Sequence, residues 1–135
     1  MKYFCFLLIS SVLCLSACKK NNEEVVVNDG LIGKWQLVRR AEGIGNMSFS
    51  YYYPDAKKLQ IIEFKKDSSF TANINSIYLK GYNLYSIINS RDMIFSPNAP
   101  ANPSDKWGYK TSNGTMLTLY MFCGEGCFFE YKAIR

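Results

Sequence analysis

The stretch Lys58 to Asn75, KLQIIEFKKDSSFTANIN, decides how this chain folds. Ile62 and Phe64 alternate with Glu63 and Lys65, and beyond four polar residues the alternation resumes at Phe70, Ala72 and Ile74. An extended chain sends successive side chains to opposite faces, so each half has one apolar face and one wet face. Lys66, Asp67 and Ser68 supply the turn between them, and the whole stretch is predicted as a β-hairpin.

The same period of two runs outward in both directions. In LIGKWQLVRRA, Leu31 to Ala41, it places Trp35 and Leu37 on one face and Lys34, Gln36 and Arg40 on the other. SIYLKGYNLYSIIN and DMIFS give two or three short strands around Gly81 and a polar turn at Asn89 to Arg91. PNAPANP, from Pro97, lacks the donors for a continuous ladder and is a loop. DKWGYKT, TMLTLYMFC and CFFEYKAIR follow as strands, joined by SNG and GEG in short glycine-bearing hairpin loops. Beyond the N-terminal leader, no segment carries an apolar stripe of helical period longer than two turns. Eight or nine antiparallel strands with tight connections predict an all-β domain, an up-and-down barrel or a sandwich.

At the N-terminus, Met1 and Lys2 precede YFCFLLISSVLCLSA, which is too short for a membrane span of roughly 20 residues and has the form of an export signal. It ends in Leu15, Ser16, Ala17 and Cys18, which closely resembles the lipobox of bacterial lipoproteins. That resemblance implies cleavage before Cys18 and acylation of its thiol, which anchors the protein without spanning the membrane. An ordinary secretory signal, leaving Cys18 as a free thiol, is the alternative. The predicted organisation is a signal peptide at 1–17, a lipidated Cys18 with a flexible polar tether at 18–30, and one domain at 31–135.

Gly33 to Trp35, GKW, opens the first strand of that domain and resembles the G-x-W signature of lipocalins. IIEFKKDSSFT and the ending FFEYKAIR resemble strands of small lipocalin-like lipoproteins of the Bacteroidetes type. The resemblance implies a single antiparallel up-and-down barrel of about eight strands, a calycin. It also implies that a basic residue near the last strand, Arg135 or Lys132, packs across Trp35. Glu23 and Glu24 faintly resemble the acidic surface-export signal of such lipoproteins, implying an outer-membrane protein of the cell envelope, exposed at the cell surface.

Composition removes several classes of chemistry. The chain has no histidine, so His-based triads, dyads and zinc motifs are ruled out, and no metal or other cofactor is expected. Its net charge of +5, lowered by one when Lys2 leaves with the signal, is spread along the chain with acids between, unlike a nucleic-acid surface. Glu63, Asp67, Asp92 and Glu130 fall on outward positions or turns and form no recognisable carboxylate pair, so an enzyme is not expected.

An eight-stranded barrel is either filled by side chains or just wide enough for one small ligand. By parity the inward residues are large: Trp35, Phe64, Phe70, Trp107, Tyr109, Phe129 and Tyr131. Tyr51, Tyr52 and Tyr53 sit in a long connection from Glu42 to Ala56, predicted as a loop at the barrel mouth that forms a binding site or folds back as a plug. The candidate ligand-binding residues are therefore Trp35, Tyr51, Tyr52, Tyr53, Trp107 and Tyr109. Cys123 and Cys127, opposed across a three-residue loop after export to an oxidising compartment, are predicted to form a disulfide. The functional expectation is a membrane-anchored module binding a small hydrophobic or aromatic-compatible ligand. Its alternative is a filled barrel that engages or inhibits a protein partner through its surface.

Overall fold

The computed structural model describes residues 25–97, 105–124 and 126–135. The leader, Cys18, the polar segment through Glu24 and most of the Pro97 to Pro103 loop lie outside the described residues. Among those residues the alternating segments form β1 (Gly33–Gly43), β2 (Phe49–Tyr52), β3 (Ile61–Phe64), β4 (Phe70–Ala72), β5 (Leu84–Ile87), β6 (Asp92–Ser96), β7 (Asp105–Ser112), β8 (Met116–Met121) and β9 (Cys127–Ile134). Every ladder is antiparallel, and eight strands run in the order β4-β3-β1-β9-β8-β7-β6-β5. The two ends of that order meet. Ser69 bridges Leu84, the Phe70 N–H donates to the Asn83 carbonyl at 2.8 Å, and the Tyr85 N–H donates to the Ser68 carbonyl at 3.0 Å. This closure makes the domain a nearly closed up-and-down barrel rather than a sandwich, with β2 attached only to the far half of β1.

The opening hairpin forms as its pattern dictates. Ile62 pairs with Ala72 and Phe64 with Phe70, and Ile62, Phe64 and Phe70 are buried. Ile74, expected inward, is instead 84% exposed, because the ladder stops at Ala72. There the Asn73 side chain takes over: its Oδ1 accepts from the Ile61 N–H, and its Nδ2 donates to the Leu59 carbonyl.

Inside, Phe64, Phe70, Phe95, Trp107 and Phe129 form a chain of ring contacts with centroids 4.8–6.0 Å apart. Trp35, Ile62, Met93, Phe95, Leu117 and Leu119 have no exposed surface at all. A void large enough for water beside any of them would leave it some, so the middle of the barrel is filled by its own side chains.

Both ends are shut. At one, Val26, Leu31 and Ile32 pack against the core, the Asn28 N–H donates to the Gly114 carbonyl, and the Trp35 indole N–H donates to the Leu31 carbonyl at 2.8 Å. The packed body thus reaches back to Val26, within the segment expected to be tether. Lys132, one of two residues expected across Trp35, pairs with Gln36 on the outer face; Arg135 is exposed at the end of the chain. At the other end residues 73–80 form turns, not the strand expected around Ser76 to Lys80. Leu79 is buried there, and the Tyr78 ring lies 5.2 Å from that of Phe129.

One irregularity re-aims β1. Its register with β9 shifts between Leu37 and Arg39, and a bulge inserting one residue exchanges inward and outward positions beyond it. Arg40, expected outside, therefore faces Phe129 at the mouth, while Arg39 and Ala41 turn outward.

Candidate functional site

The segment expected to be a long loop is in part strand, at residues 42–43 and 49–52. β1 continues to Gly43, residues 44–48 turn, and β2 returns along β1 with Tyr51 opposite Ala41 and Tyr52 opposite Arg40. Three consecutive tyrosines in extended chain must alternate faces, and they do. Tyr52 lies at the mouth, Tyr51 is opposite outward Ala41, and Tyr53 reaches outward Arg39. None plugs the barrel; Leu79 and Tyr78 do that, and the apolar IYL of SIYLKG was the only sequence signal for it.

Arg40 organises the mouth. Its guanidinium lies 4.5 Å from the Tyr52 ring centroid and 5.2 Å from that of Tyr78, with Nη1 donating to the Tyr78 hydroxyl and Nη2 3.5 Å from Glu42 Oε1. A cation held between two aromatic faces is favourable, and here it orders the rim above the filled core.

The outer face carries the larger feature. Across six strands the register aligns Tyr51, Ala41, Phe128, Tyr120, Gly108 and Asp92 in one row. The Phe128 ring meets those of Phe49 and Tyr51 edge-on, at 5.5 and 6.3 Å. Ala41, though outward, is wholly covered by these neighbours. Gly108 lies close under Tyr120, where a Cβ would meet Tyr120 Cβ at 3.3 Å, a tight contact. Tyr120 borders two shallow grooves, one lined by Phe49, Phe122, Phe128 and the Cys123–Cys127 disulfide, the other by Asp92, Tyr109 and Lys110. Phe122 is 85% exposed, and Phe49, Tyr51 and Tyr120 are each close to half exposed.

A polar rail flanks this row. Arg39 pairs with Glu130 through a short Nε to Oε2 contact, sits over the Tyr51 ring at 5.1 Å, and is held above an arginine's ordinary pKa, chiefly by the bond to Glu130. Asp92 pairs with Lys106 at 3.0 Å, and Asn89 and Lys106 lower its pKa. Asp67 is lowered by the Ser69 hydroxyl and N–H that cap the hairpin turn. These carboxylates are spent on ion pairs and turns, and among the described residues no three acids or cysteines converge on a metal-sized site.

No family model, curated protein or solved structure matches this chain.

The six candidate residues therefore do not form one site. Trp35 and Trp107 lie in the core, Tyr52 is at the mouth, Tyr51 and Tyr53 are on the outer face, and half-buried Tyr109 packs against the core while its hydroxyl donates to the Asn89 carbonyl. Phe49, Tyr120, Phe122 and Phe128 were missed, although YMFC and CFF put aromatics at outward parity beside inward ones. Cys123 and Cys127 are bonded, with Cα atoms 5.7 Å apart, but not in the geometry expected. Met121 is the residue opposite Cys127, so the loop is residues 122–126 and the disulfide closes it from within.

Proposed function

We propose that this chain is a lipid-anchored envelope protein whose filled barrel is a rigid support for recognising a protein partner on its outer aromatic face. The observation that carries this reading is the row Tyr51, Phe128 and Tyr120, extended by Phe49 and Phe122. Large aromatics left exposed together, beside a polar rail, have the composition of protein-recognition surfaces. The barrel interior supports the same reading, because a ligand inside would have to displace the packed rings around Trp107. A small hydrophobic ligand is then confined to the groove beside Phe122 and Phe128, and the reading is of a non-catalytic module.

The anchor rests on Leu15 to Cys18, whose resemblance to a lipobox supports acyl chains on Cys18; the faint acidic signal at Glu23 and Glu24 supports an outer-membrane protein facing the cell exterior. Metabolic labelling with a palmitate analogue should mark the protein and be lost in Cys18→Ser.

A photo-reactive residue at Phe122 tests the recognition surface in intact cells. A discrete heavier species containing a peptide foreign to this chain is expected, and none when the probe replaces Ile88 on the opposite side. Adducts of equal yield at both positions would contradict the proposal.

A further inference from the structure

We infer that β2 pairs with β2 of a second copy of this chain, making a two-fold dimer whose sheet runs continuously from one barrel into the next. The inference begins with backbone polarity. The Ile44 N–H donates to the Ser48 carbonyl, so in the antiparallel pair Ser48, Ser50 and Tyr52 direct their peptide groups at β1. Phe49, Tyr51 and Tyr53 direct theirs the other way, and among the described residues nothing accepts or donates to them on that edge. This is a ready template for another strand.

Natural edges are protected by lysine, proline, a bulge or an inward charge. Phe49-Ser50-Tyr51-Tyr52-Tyr53 has none of these; Pro54 stops the strand only after the edge groups have been presented. The bulge in this region lies in β1 and leaves β2 regular.

The segment is also complementary to itself. Antiparallel pairing centred on Tyr51 sets Tyr51 opposite Tyr51 of the second copy and Phe49 opposite Tyr53, and all three edge residues then exchange hydrogen bonds. The outer face across the junction is wholly aromatic, with ring pairs of the kind that stabilise cross-strand contacts. On the other face Ser50 meets Tyr52, and each row that crosses the junction carries Glu42 of one copy at one end and Arg40 of the other at the opposite end. Opposite charges thus share a row, and no like charges face each other. One surface patch serves both copies, as a closed two-fold interface requires.

The area sets the strength. Phe49, Tyr51, Tyr52 and Tyr53 are 40–64% exposed, and side chains of this size bury roughly 100 Å² each from that state, or about 800 Å² over both copies. That lies at the weak end for specific interfaces, so the dimer is reversible. It leaves Tyr120 and Phe122 uncovered.

Disulfide trapping in the full-length, membrane-anchored protein tests the register. In Tyr51→Cys, mild oxidation should yield a peptide disulfide joining the two substituted positions, since directly opposed residues have Cα atoms about 5.5 Å apart. In Ser50→Cys the two substituted positions are offset by two residues, beyond the roughly 7 Å a disulfide tolerates, and no such peptide should form. Equal yields from both variants, or none from Tyr51→Cys while the Cys123–Cys127 disulfide is intact, would overturn the inference. As an independent check, Tyr51→Lys should weaken self-association at least ~10-fold in sedimentation velocity, as expected for a charge placed on a pairing edge. Unchanged association would equally overturn it.

Discussion

Gly114 shows how closely single residues are specified. Asn113 and Gly114 have φ of 51° and 67°, the left-handed pair that turns β7 into β8 with the twist a tight hairpin needs. A Cβ on Gly114 would lie 2.1 Å from the Asn28 carbonyl oxygen, a backbone atom that cannot swing aside. Gly114→Ala should therefore cost about 2 kcal/mol or more in denaturant unfolding, from combined backbone strain and loss of the Asn28 contact. Buried tyrosines make a second prediction. Burial, followed by the hydrogen bond to Asp105, pushes the Tyr82 pKa up to about 12, and burial alone raises that of Tyr131. The folded state then holds these protons where the unfolded chain, ionising near pH 10, has released them. Their contribution is complete below about pH 10 and is lost as pH rises toward the folded values, so the Tm should fall between about pH 10 and about pH 12. A Tm that is constant across this range would contradict the burial of these hydroxyls.

At the scale of elements, strands were legible where apolar residues alternate with charged ones. The hairpin of β3 and β4 is the clearest case, because Glu63 and Lys65 mark the wet face unambiguously. The C-terminal strands were legible too, from the alternation in CFFEYKAI and the SNG turn between β7 and β8. Two features were hidden. β2 reads as loop because FSYY is all aromatic or hydroxyl and has no apolar alternation; it is a strand because β1 offers it an unpaired edge. The bulge in β1 has no local signature in LVRR, and without it Arg40 is assigned to the wrong face. The disulfide was legible from the spacing of Cys123 and Cys127 together with the expectation of export, whereas its place inside a loop of residues 122–126 was not. Closing so short a loop contributes about 2 kcal/mol at most by the loop-entropy estimate. Reduction should thus lower stability modestly and leave the sheet intact by circular dichroism, while loosening the groove beside Phe122. Global unfolding on reduction would show that the bond does more than hold this loop.

For the whole molecule, the sequence left open whether the barrel is filled, because parity identifies inward side chains but not how their volumes add. The structure resolves it through Phe95, whose ring touches those of Phe64, Phe70, Tyr82 and Trp107 at once. Phe95→Ala should cost about 3–5 kcal/mol, the range for removing a fully buried aromatic from a packed core. The candidate site was legible only in part: the tyrosine cluster was found, but its outward partners lie on β8 and β9 and come together only through sheet register. A filled interior leaves the outer row as the surface available for recognition, and this is the centre of the account. The chain's two tryptophans, Trp35 and Trp107, are both in the core and report directly on it. Their fluorescence should be blue-shifted and unchanged when purified protein is titrated with fatty acids, sterols and aromatic ligands. A saturable shift or quenching of that emission would contradict the account, because it would mean that a guest has reached the inside of the barrel.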